Sequence, residues 1–79
     1  MYRDVALTAL KEILEKLPNL NASAITLMSS NPLGKGYYHL HISANLNDSS
    51  RFTLKEIASK YGLLYRENEG RILIYKSLL

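Results

Sequence analysis

The sequence of 79 residues predicts an α+β fold in the order αββαββ, with a four-stranded, mostly antiparallel sheet and both helices on one face. Two stretches repeat their apolar residues with the period of a helix. Two others alternate apolar and polar residues with the period of a strand, and each alternating stretch is bordered by turn-forming residues. Two amphipathic helices and two hairpins bury their apolar sides most simply as one helical layer on one sheet.

The first helix is expected over residues 4–17. Ala6, Leu10, Ile13, Leu14 and Leu17 follow the i, i+3, i+4, i+7 spacing, and Arg3, Lys11, Glu12, Glu15 and Lys16 face the other way. Glu12 precedes Lys16 by one turn in the favourable acid-first order, and Pro18 with Asn19 ends the helix. Residues 23–29 suit a strand with Ile25 and Leu27 on one face and Thr26 and Met28 towards the other. The turn formers SSNPLGKG lead into YYHLHISA, a strand with Tyr38, Leu40, Ile42 and Ala44 on the helix side and Tyr37, His39, His41 and Ser43 on the outer side. NLNDSSR then reads as a polar loop.

For the second helix the expected N-cap is Thr53, with Glu56 completing a capping box and Phe52 stapled against Ile57. Leu54, Ile57, Ala58 and Tyr61 form its buried stripe, and Gly62 suits a left-handed C-cap. LLYRENEGRILIYK follows as a hairpin. A three-residue loop, Asn68-Glu69-Gly70, faces Glu67 with Arg71 and is expected over a two-residue loop, which is taken to face Arg66 with Arg71 and so to oppose like charges. This places Leu64, Ile72 and Ile74 inside and Leu63, Tyr65, Glu67, Arg71, Leu73 and Tyr75 outside.

Residues 1–79 are expected to be a single domain. Leu10-Lys11-Glu12-Ile13 with Lys16 recurs 44 residues later as Leu54-Lys55-Glu56-Ile57 with Lys60, which suggests two αββ halves at about 1–45 and 52–79. The architecture resembles a ferredoxin-like sandwich whose first strand has moved to the carboxyl end, a likeness that carries no function with it.

A chain this short buries roughly 60–65% of its unfolded surface and is marginal without a staple or a partner. With no cysteine, disulfides, thiolate metal sites and cysteine nucleophiles are excluded, and an intracellular, cytoplasmic setting is expected. The charges in MYRDVALTALKEILEKLP argue against a signal-peptide core, and no apolar run is long enough to span a membrane. Net charge is +3. Residues 1–33 are balanced, and the whole excess lies in residues 34–79 with both histidines and five of the six tyrosines. Such a bias favours phosphate-bearing partners.

A sheet covered on one side only leaves its other face in water, and a large apolar and aromatic face is seldom left bare. The residues expected there are Tyr37, His39, His41, Tyr65, Arg71, Leu73 and Tyr75, with Lys35, Arg66 and Lys76 around them as phosphate contacts. Aromatic rings on an open sheet stack on unpaired bases while basic groups neutralise phosphates, so the leading expectation is a non-enzymatic module that binds RNA or DNA. The competing expectation is a homodimer or higher oligomer that uses the same face, with Leu63 and Leu73 in its interface.

Other chemistry has less behind it. His39 and His41 share a strand face, but a metal site needs a third ligand, so neither a metal nor another cofactor is expected. There is no nucleophile elbow, HExxH or Walker loop, and an enzyme is not expected. Gly34-Lys35-Gly36 precedes a strand and not a helix, which makes it a hairpin tip instead of a phosphate loop. FTLKEIASKYG resembles the first helix of a helix-turn-helix, and a winged-helix-like DNA-binding regulator is a further alternative, but the β-rich segment after it leaves no place for a recognition helix.

Overall fold

The computed structural model describes residues 1–29 and 38–76. Helix α1 (Arg3–Lys16) leads through a 3-10 turn (Ala22–Ala24) to strand β1 (Ile25–Ser29). Strand β2 (Tyr38–Ser43), helix α2 (Asp48–Lys60) and strands β3 (Leu64–Asn68) and β4 (Arg71–Tyr75) follow. The four strands form one sheet in the order β1-β2-β4-β3, and every neighbouring pair is antiparallel. The α+β class and the αββαββ order are as expected. The second strands of the two αββ units, β2 and β4, meet at the centre of the sheet. Lys35 and the Gly34-Lys35-Gly36 tip, like Tyr37, lie outside the described residues.

The core forms where period-2 and period-3.6 faces meet. Leu40 and Ile42 of β2 face Ile74 and Ile72 of β4, and each is at most 1% exposed. Against them pack Ala6, Ala9 and Ile13 of α1 and Leu54, Ile57 and Ala58 of α2, so both helices cover the same face. Ile25, Leu27, Tyr38 and Ala44 border this cluster, as the strand alternation predicts. The buried stripe of α1 is turned slightly from the expected one. It runs through Ala6, Ala9, Ile13 and the adjoining Leu17, while Leu10 and Leu14 are half-buried at its flank.

Helix α2 starts six residues earlier than the capping box predicts. Its N-cap is Asn47, whose Oδ1 accepts a hydrogen bond from the Ser50 backbone N–H at 2.8 Å, and Asp48 adds a favourable negative charge in the first turn. Asn-Asp-Ser-Ser therefore opens a helix where it reads as a loop. Thr53 lies within the helix and returns its hydroxyl to the Ser49 carbonyl at 3.1 Å, and Phe52 is 62% exposed, with no staple. At the other end Gly62 has φ +68. The Gly62 N–H donates to Ser59 O and the Leu63 N–H to Ala58 O, the paired bonds of a Schellman cap. Strand β3 follows directly where a helix-turn-helix needs its second helix.

Glu12 ties the two helices together. Its Oε1 accepts from Lys60 Nζ at 2.8 Å and from the Tyr61 hydroxyl at 2.6 Å, and its Oε2 lies 3.0 Å from Lys16 Nζ, the pair expected from sequence. These bonds, led by Lys60 and then Tyr61, hold its carboxyl down at about 2, against 4.5 ordinarily. The native state thus binds the Glu12 proton more weakly than the unfolded chain does. The stability this adds is complete above pH 4.5 and disappears as pH falls towards 2. Urea unfolding followed against pH should show that loss in the parent and a flatter acid limb in Glu12→Gln. In the same assay Asn47→Ala should cost about 1 kcal/mol, while Thr53→Ala stays within about 0.5 kcal/mol. The opposite order would restore Thr53 as the cap.

Candidate functional site

The outer face of the sheet depends on how the β3–β4 hairpin closes. Asn68 faces Arg71, which leaves Glu69 and Gly70 as a two-residue turn. Both have positive φ, +51 and +79, the left-handed pair of a type I′ turn whose twist matches that of the strands it joins. The expected three-residue loop is one residue longer, and a slip of one residue exchanges the two faces of a strand. Because Arg71 faces Asn68, the like-charge clash that argued against a short loop does not arise.

The slip corrects four assignments. Tyr65 and Glu67, expected outside, face Ile74 and Ile72 and so lie on the helix side. Leu63, also expected outside, is 7% exposed and part of the core. Leu64, expected inside, points outward and is 44% exposed. The helix cap enforces this from upstream, since a Schellman motif packs the residue after its glycine against the last helical turn. That residue is Leu63, and alternation then carries Tyr65 inward. A signal for this was present in the sequence: Gly62 marks the cap, and the cap decides which of the two leucines is buried.

Tyr65 and Glu67 fasten β3 to α2. The Tyr65 hydroxyl donates to Glu67 Oε1 at 2.8 Å, and Lys55 Nζ stands 5.4 Å from the centre of its ring. Arg51 Nε lies 2.9 Å from Glu67 Oε2, an ion pair without the alignment of a directed hydrogen bond. Burial, helped by the bond to Glu67, pushes the Tyr65 hydroxyl up to about 12. Tyr65 is therefore engaged on the covered side and is not a stacking platform.

What faces outward is a compact mixed surface. His39 and His41 of β2 lie opposite Met28 and Thr26 of β1, and His41 also faces Leu73 of β4. Leu73 faces Arg66, and Tyr75 faces Leu64, across the hairpin. The guanidinium carbon of Arg66 stands 5.9 Å from the centre of the Tyr75 ring, within range of a cation–π contact. Arg66 and Arg71 are exposed, while His39, His41, Leu73 and Tyr75 are half-buried among their neighbours. Lys76 is exposed just past the end of β4. Of the residues picked from sequence, the fold gathers His39, His41, Arg66, Arg71, Leu73 and Tyr75 on one face and removes Tyr65. It adds Met28, itself 44% exposed, and Leu64.

Among the described residues no strand carboxylate points to this face. Five of the seven acidic residues (Asp4, Glu12, Glu15, Asp48 and Glu56) are in helices; Glu67 points to the helix side and Glu69 sits in the turn. Burial, the neighbouring His41 and the chain's amino group together hold the His39 imidazole below its ordinary value. Among the described residues no three His, Asp or Glu side chains gather as a metal site would require. A separate hollow of about 490 Å³ lies between the C-terminal end of α1 and the N-terminal end of α2, lined by residues such as Leu17, Leu20, Asn45, Asn47 and Ser50. Its lining holds no histidine or carboxylate that would serve as a general base. No helix among the described residues is long and apolar enough to cross a membrane.

The hairpin register has a direct test. Asparagine adopts left-handed backbone more readily than glutamate, so Glu69→Asn should stabilise the protein by about 0.5 kcal/mol in urea unfolding. Gly70→Val should cost about 1–2 kcal/mol, since a Cβ there is strained by φ and comes within 3.3 Å of Asn45 Oδ1. A three-residue loop would leave Glu69→Asn without benefit. Comparison of the chain with protein-family models, curated proteins and solved structures finds no match.

Proposed function

We propose that this protein is a non-enzymatic binding module that takes single-stranded nucleic acid, RNA or DNA, on the open face of its sheet. The observation that carries this reading is the segregation of charge. The face presents Arg66, Arg71 and two histidines, and among the described residues no strand carboxylate points to it. A polyanion meets only attraction or neutrality there. Tyr75, with Arg66 beside its ring, is the stacking platform among the described residues, and Leu73, Leu64 and Met28 give the bases an apolar bed. Unpaired bases can be laid across an open sheet face of this width. Arg71 and Arg66 are the phosphate contacts, with Lys76 at the rim.

A homodimer through the same face is the second reading, favoured by one observation: Met28 and Leu64, each 44% exposed, stand on the two edge strands at either end of a row that includes His39 and Tyr75, apolar surface that a second copy would also cover.

Mass in solution by light scattering, with and without a mixed-sequence single strand, separates the two. For a nucleic-acid surface, a complex forms that weakens as salt rises. Arg71→Ala lowers its affinity and reduces the slope of log K against log salt by about 0.7, the share of one phosphate contact on a single strand, without altering the mass of the free protein. For a dimer interface, the parent is a dimer that ignores the oligonucleotide at about 100 mM salt, and Leu73→Asp yields monomers. That second outcome would remove nucleic acid as the ligand.

A further inference from the structure

We propose that His39 and His41 bind the phosphate backbone as imidazolium ions, so that nucleic-acid binding by this face takes up protons and tightens as the medium acidifies. This rests on the reading of the face as a nucleic-acid surface and assigns the two histidines a role within it. They are two positions apart on β2, so their side chains leave the same side of the sheet at points about 6.6 Å apart. Successive phosphates of an extended strand can reach both.

The surroundings explain why the charge must come from the ligand. From β1, His39 is faced by Met28 and His41 by Thr26, and neither carries a charge. From β4, His41 is faced by Leu73, and continuing the same register brings Tyr75 beside His39. The charged groups that the register brings to this side among the described residues are basic: Arg71, which faces Ser43 two residues on from His41, Arg66 beyond Leu73, Lys76 just past β4, and the amino group of Met1. That amino group is bonded to the Tyr38 carbonyl at 3.0 Å and held below its ordinary value by burial and then by Lys76. The helices lie across the sheet, and among the described residues no strand carboxylate points to the outer side. Burial, then His41 and the Met1 amino group, hold the His39 imidazole below its ordinary value. The two histidines are half-buried between uncharged neighbours, on the same face as Arg66 and Arg71. A bound phosphate brings negative charge to the rings, and each then gains a proton over the range where imidazole titrates. The sign follows from linkage: the complex holds more protons than its free parts, so affinity grows as pH falls.

The test measures fluorescence anisotropy of a labelled mixed-sequence single strand of about 20 nucleotides at constant low ionic strength, near pH 8 and near pH 5.5, with the parent and with His39→Gln/His41→Gln. The parent should gain about tenfold in affinity at the lower pH, the effect of raising the rings' combined affinity for protons by about one unit. Its salt dependence should steepen there by about 0.7 for each added phosphate contact. In the double variant, whatever its absolute affinity, the ratio between the two pH values should fall below about twofold. A second readout needs no variant: the imidazole proton resonances of His39 and His41 should titrate at higher pH with saturating oligonucleotide than without it. An equal gain in the double variant, or imidazole titrations that stay put in a protein that does bind, overturns the histidine role and leaves the nucleic-acid reading standing. Absence of binding at both pH values in low salt overturns that reading and this inference together.

Discussion

In the central pair of the sheet Leu40 faces Ile74 and Ile42 faces Ile72, and these four side chains, all buried, are the floor on which both helices rest. Each αββ unit has one apolar sheet face and one apolar helix stripe, too little to form a core alone. When β2 pairs with β4, the two half-floors become one, and Ala6, Ala9 and Ile13 share it with Leu54, Ile57 and Ala58. Burying a side chain of this size contributes about 1.5–3 kcal/mol, so the loss of the central pair removes more than a chain this short has in reserve. Because the floor is covered from one side only, the opposite side of the same strands is open by construction.

The composition of that open side follows from constraints at the two ends of β3. Upstream, the Schellman cap at Gly62 delivers Leu63 to the core. Downstream, the left-handed pair Glu69 and Gly70 closes the hairpin with two residues. Both set the same parity, with Tyr65 and Glu67 under α2 and Leu64 and Arg66 outside. The inward Glu67 is then held by Arg51 and by the Tyr65 hydroxyl, so what looks like a surface acid becomes part of the tie between helix and sheet edge. One consequence is electrostatic. Moving Glu67 to the helix side takes the last strand carboxylate off the outer face and puts Arg66 on it.

The helical layer collects the acids that the sheet face lacks. Glu12 shows how: three donors, from α1 itself and from the C-terminal end of α2, converge on one carboxylate. Charge is thereby used for holding the helices together on one side of the molecule and left unneutralised on the other. A net charge of +3 is small when averaged over the whole surface, and it becomes a directed property only through this division.

Much of the fold was legible in the sequence, because periodicity and turn chemistry are local. The two helices, the four strands, the one-sided cover, the Gly62 cap and the outer placement of His39, His41, Arg71, Leu73 and Tyr75 all follow from spacing along the chain. Local signals misled where two of them competed. Thr53 with Glu56 imitates a capping box, yet Asn47 opens the helix because its side chain satisfies a free N–H there. Leu63 and Leu64 are chemically equivalent, and alternation alone cannot say which of two adjacent leucines goes inside. The sequence by itself therefore determined the elements, their order and the existence of an open face. Tertiary structure decided the strand order, the parity of β3 and hence the removal of Tyr65 and Glu67 from that face, because a register is chosen by contacts between elements: a helix cap seating one leucine in the core, and a two-residue turn whose twist fits the strands it joins.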